Sequence, residues 1–121
     1  MATSKITIVH DEVRNFVVNL TGLGDTLGQE NKLIKVPQRA KIHYIDFTVT
    51  GGYVNLYWGA LDPVLIGSLS NYQDIDYRRM GGLKNPTDGN TILLSTVGFS
   101  IGSSYNIMIS MVKKKHKKVY P

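Results

Sequence analysis

Apolar and polar residues alternate at period two along much of this chain, the pattern of a strand with one buried face rather than of a helix. Ala40, Ile42 and Tyr44 alternate with Lys41, His43 and Ile45, and Ile45, Phe47 and Val49 continue one face as far as Thr50. Beyond Gly51-Gly52, Val54, Leu56 and Trp58 stand opposite Tyr53, Asn55 and Tyr57. Two alternating runs joined by two glycines predict a β-hairpin, because glycine takes the positive φ that a two-residue turn requires.

The same period recurs elsewhere. Tyr105, Ile107, Ile109 and Met111 alternate with Asn106, Met108, Ser110 and Val112; Ile92 and Leu94 share a face; Ile6 and Ile8 alternate with Thr7 and Val9. Leu33 to Val36 is a short strand stopped by Pro37, which has no N–H to give a ladder. Val64 to Ile66 and Ile75 to Tyr77 are weaker strand candidates. Val13, Phe16, Val17 and Leu20 also fit a helix face, yet Phe16, Val18 and Leu20 fit a strand face, and the β-branched content favours the strand. Twelve glycines cluster between these runs. Seven or eight short antiparallel strands with such punctuation predict an all-β fold: a β-sandwich, with a jelly roll or a small barrel as variants. The expected organisation is one sandwich domain over residues 1–112 and a basic tail over residues 113–121.

Composition narrows the function classes. There is no cysteine among the 121 residues, which excludes disulfides, thiolate zinc sites and cysteine nucleophiles. No apolar run approaches the ~18 residues of a membrane span. The first residues show no charged-then-apolar leader, which points to a protein made and assembled inside a cell. Fourteen Lys and Arg stand against nine Asp and Glu, and Lys113, Lys114, Lys115, Lys117 and Lys118 account for the whole excess. A neutral body with a cationic end argues against a nucleic-acid groove in the domain itself.

Catalytic patterns are sparse. Gly22, Gly24 and Gly28 miss the dinucleotide spacing and lead into a strand-like run rather than a phosphate-binding helix. His10, His43 and His116 are widely separated and do not make a close ligand pair. No Gly-x-Ser-x-Gly nucleophile motif occurs. Asp74 and Asp76 fall on one side of a strand, where they could hold a divalent cation, serve acid–base chemistry or pair with Arg78 and Arg79; the salt-bridged surface is the favoured reading. Tyr53 and Tyr57 share a strand face, with Tyr44 nearby as a further candidate, and such a face suits sheet packing, a protein interface or stacking on a sugar or base. The binding candidates are therefore Tyr53, Tyr57 and the five lysines of the 113–118 block, with no catalytic or metal-ligating residue among them.

Several segments together resemble small, all-β virion structural proteins of tailed bacteriophages. These are Val13 to Gly22 running into Gly24-Asp25; Lys32 to Val36; Val54 to Trp58; Asp76-Tyr77; Gly81 to Pro86 before Ile92 to Thr96; and Ser104 to Ile109 leading to the lysine end. The resemblance spans about Val13 to Lys113 and rests on turn glycines and sheet residues. It implies a non-enzymatic virion component without a cofactor, of the capsid decoration or cement kind, with a tail or head–tail junction protein as the alternative. The implied partners are the major capsid protein or other virion proteins and copies of the chain itself, often as a trimer, and not nucleic acid or membrane. The implied location is the virion, assembled in the host bacterial cytoplasm. A carbohydrate- or nucleic-acid-binding β module is the reading from another class.

Overall fold

The computed structural model describes residues 3–23, 31–59, 61–87 and 89–113. Eight strands run through them: β1 (Thr3–Asp11), β2 (Asn15–Leu23), β3 (Asn31–Lys35), β4 (Lys41–Trp58), β5 (Val64–Asp76), β6 (Leu83–Lys84), β7 (Thr91–Val97) and β8 (Ser104–Val112). The helical piece among the described residues is a single 3-10 turn, Arg78–Met80. All pairings are antiparallel, so the architecture is the all-β one that the alternation predicts. The strands join in one continuous sheet in the order β1-β2-β8-β4-β7-β3, with β5 and β6 on the other edge of β4. The sheet curls nearly into a barrel, and Lys32 Nζ on β3 donates to Ser4 Oγ on β1 at 2.7 Å across the remaining seam.

The expected hairpin at Gly51-Gly52 is not formed. β4 runs straight through both glycines as one 18-residue strand. Its first half, Lys41 to Thr50, pairs with β8, and its second half, Tyr53 to Trp58, pairs with β7. The positive φ at Gly51 (81°) serves a bend that passes the strand from one neighbour to the next. A Cβ on Gly51 would lie 2.6 Å from Ser103 Oγ, and that buried hydroxyl donates to Gly51 O at 2.9 Å. A glycine pair satisfies a turn and a bend equally well; the choice is made by strands far away in sequence. β4 instead makes a hairpin with β5, pairing Trp58 with Val64. The two weak candidates at 64–66 and 75–77 are the ends of that single strand β5, the second reaching only as far as Asp76.

A second irregularity explains the phase change in β4. Ile42 pairs with Met111 and Tyr44 with Ser110, so His43 is an extra residue on β4. The bulge turns both Ile42 and Ile45 inward, and Phe47 and Val49 follow. The ambiguous segment 13–20 is strand, with Phe16, Val18 and Leu20 buried. These side chains meet Ile34, Val54, Leu56, Trp58, Leu69, Ile92, Leu94, Ile107, Ile109 and Met111 in one core. Each large apolar side chain buried there contributes about 1.5–3 kcal/mol relative to exposure. β5 contributes little: Leu69 is its one buried residue, and the strand is a long free edge. Among the described residues no helix is long and apolar enough to cross a membrane.

Candidate interaction surfaces

The tyrosine face forms as the alternation predicts. Val54, Leu56 and Trp58 fill the core, so Tyr53, Asn55 and Tyr57 point outward. Asn55 Nδ2 donates to Tyr57 Oη at 3.2 Å, and Ser68 Oγ donates to Asn55 Oδ1 at 2.5 Å, which fixes the polar centre of this face. Tyr44 lies on the other side of the glycine bend and takes no part in it.

Register adds residues that the tyrosine pattern alone does not reveal. Leu33 on β3 stands opposite Leu93 on β7, Leu93 opposite Tyr57 on β4, and Tyr57 opposite Leu65 on β5. The four side chains make an apolar row across the outer face, about 14 Å long at the usual strand spacing. Its two ends are open to solvent, with Leu33 at 52% and Leu65 at 55% exposure. The sequence holds a signal for it. Leu33-Ile34, Leu65-Ile66 and Leu93-Leu94 are apolar neighbours within strands, and on a pleated strand one of each pair turns away from its neighbour's face.

On the other half of the outer face, Asp46 on β4 stands directly opposite Asp74 on β5. The Tyr44 hydroxyl donates to the Asp74 carboxylate, and this bond, with burial and the nearby carboxylates, pushes the phenol up to about 12. Asp76 is gripped by Arg78, whose Nη2 lies at 2.6 Å and whose Nε and backbone N–H both lie at 2.9 Å. These bonds draw its carboxyl down to about 2. The Arg78 guanidinium also sits 5.5 Å from the centre of the Tyr44 ring. Of the two arginines that sequence reading offers these carboxylates, Arg78 is the one bound to Asp76. Among the described residues no three His, Asp or Glu side chains converge as metal ligands. His10 pairs with Glu12 at 3.1 Å, while His43 lies in the β4 bulge.

The lysine block begins inside the fold. The Lys113 backbone N–H donates to Arg14 O at 2.7 Å, and its ammonium binds the Asp11 carboxylate. Lys114, Lys115, Lys117 and Lys118 lie outside the described residues, as does His116. Lys113 joins Arg14, Arg39, Lys41, Lys84 and His43 around an open cavity of about 540 Å³. Lys41 stands directly opposite Lys84 on β6. The body's charge is zero in sum but uneven in distribution, so the inference that its basic character belongs to the tail alone is corrected. Folding brings together cations from the β1–β2 turn, the Pro37–Ala40 turn, β4, β6 and the end of β8, and no sequence window contains them. No protein family model matches the chain, and no curated protein matches it significantly.

Proposed function

We propose that this chain is a non-enzymatic structural protein that works by docking its surfaces on other proteins, and specifically a virion component of the phage capsid decoration kind. On this reading the curled sheet is a variant of a β-sandwich in which β4 and β5 belong to both halves. The partners are the major capsid protein and further copies of the chain, with a trimer as the assembled form. A place on the tail or at the head–tail junction is the variant of the same reading.

The observation that carries it is the apolar row Leu33–Leu93–Tyr57–Leu65, aligned in register on the outer face and ending on the free strand β5. Apolar side chains set across a sheet face, with Tyr53 on the same face and the open edge of β5 beside them, suit a protein partner that covers the row and completes the edge. Repeated in many copies, such contacts stabilise a shell through effective concentration even when each is weak. The test is co-sedimentation with expanded, decoration-free phage shells, followed by the melting temperature of the shells. Binding with a raised melting temperature is expected, and Leu33→Asp with Leu65→Asp should remove both effects while leaving the isolated chain folded. Failure to associate with shells or to shift their melting overturns the decoration reading.

A further inference from the structure

The cationic cavity at the β4–β6–β8 end lies away from the apolar row and plays no part in the docking just described. Five cations line it, and no carboxylate is among the described lining residues. Lys113 alone among the five has an acidic partner, Asp11; Arg14, Arg39, Lys41 and Lys84 pair with no carboxylate among the described residues. Like charges set directly opposite on neighbouring strands destabilise a sheet, and Lys41 with Lys84 is such a pair on the cavity wall. A bound anion would offset that repulsion. Four more lysines follow within five residues of Lys113.

We propose that this cavity is a binding site for the phosphate backbone of nucleic acid, held without regard to base sequence. The side chains favour this over an acidic protein. Protein interfaces concentrate Tyr, Trp and Phe at their centre and deplete lysine, whereas this wall carries three lysines and no Tyr, Trp or Phe. Val112 and Pro86 are the apolar side chains on it. Phosphate contacts are made largely by Lys and Arg, and two guanidinium groups, Arg14 and Arg39, can each grip phosphate oxygens in pairs. The one ring on the wall, the His43 imidazole, packs against Gly82, and no helix or strand pair among the described residues of the wall is free to read a groove, so the contact follows the backbone and not the sequence.

The test is fluorescence anisotropy of the full chain with two short labelled DNA duplexes of unrelated sequence, and with a labelled polyglutamate peptide, across a salt series. Equal binding to both duplexes is expected, weakening steeply with salt. The triple variant Arg14→Gln, Arg39→Gln, Lys84→Gln, with the lysine block intact, should bind at least about tenfold more weakly. It should also lower the slope of log K against log salt by about 2–3, since each phosphate contact contributes about 0.9. Lys84→Arg keeps the charge and should bind as the natural chain does. If the triple variant melts early, Arg39→Gln alone, in an exposed turn, must still lower the slope by about 1. Unchanged affinity and slope in a folded variant would assign all binding to the lysine block and overturn the proposal. So would polyglutamate binding as tight as DNA, a strong preference for one duplex, or no DNA binding at low salt.

Discussion

Tyr44 and Asp74 are 30 positions apart in sequence and touch because β4 and β5 are paired. The phenol is the donor, so loss of its proton breaks the bond and leaves an anion beside Asp46, Asp74 and Asp76. Its folded value, about 12, lies above the ordinary 10. The stabilisation is therefore complete below pH 10 and is lost as pH rises through about 12. In a titration followed by the ring carbon shifts, Tyr44 should deprotonate near 12, and Asp74→Asn should bring it back toward 10. A Tyr44 midpoint unchanged by that substitution would show that the bond does not hold in solution. Asp76 has the opposite sign. Arg78 draws its carboxyl from 3.8 to about 2, so its contribution is present above about pH 4 and is lost as pH falls through about 2. Arg78→Ala should return the Asp76 midpoint toward 3.8 in a carboxyl carbon titration. The Asp76–Arg78 pair is legible in the sequence, since its members stand only two positions apart. The Tyr44–Asp74 pair is not, because its cause is strand register.

Strand identity is the part of the fold that local pattern carries well. Phe16, Val18 and Leu20 on β2, Ile92 and Leu94 on β7, and Tyr105, Ile107, Ile109 and Met111 on β8 are buried on the faces that alternation assigns to the core. Connection is the part it carries poorly. Gly51-Gly52 permits a turn, but the β4–β5 pairing on one edge and the hand-over from β8 to β7 on the other hold the chain extended. The bulge at His43 likewise depends on Met111 and Ser110, which no window around residue 43 contains. The bend itself is specific to glycine. Gly51→Val would place a branched side chain at φ 81°, with its Cβ only 2.6 Å from Ser103 Oγ. Displacing Ser103 also unmakes its bond to Gly51 O and the bond that Ser100 N–H donates to its hydroxyl at 3.0 Å. Strain and crowding of this kind each cost about 1–3 kcal/mol. Urea unfolding should show a loss in that range or above it for Gly51→Val. The same substitution at Gly67, where a Cβ meets nothing within 4 Å, should cost less. Equal losses would mean that the bend does not depend on Gly51.

At the scale of the whole molecule, the centre of the sheet is closed by the last strand. β8 pairs with β2 on one side and with the first half of β4 on the other, and β3 waits for β7. Among the described residues only β1–β2 and β4–β5 can zip between consecutive strands. The entropy of closing long loops must therefore be met before most core contacts form, which slows folding. Stopped-flow refolding, followed by the single tryptophan, Trp58, should give a folding time of milliseconds to seconds at 25 °C, as for other sheets dominated by distant pairings, and not microseconds. Ile109 is fully buried and lies on β8 between Val18 and Ile45. Ile109→Ala should cost about 2–5 kcal/mol as a core truncation. If docking β8 is the step that commits the chain, much of that loss appears as slower folding. Ile8, on the free edge strand β1 and 57% exposed, is the control: Ile8→Ala should change stability by no more than about 0.5 kcal/mol and leave the folding rate unaltered. Were Ile109→Ala to act only on unfolding, β8 would have to join after the barrier, and the β4–β5 hairpin with β7 would be the element that organises the sheet.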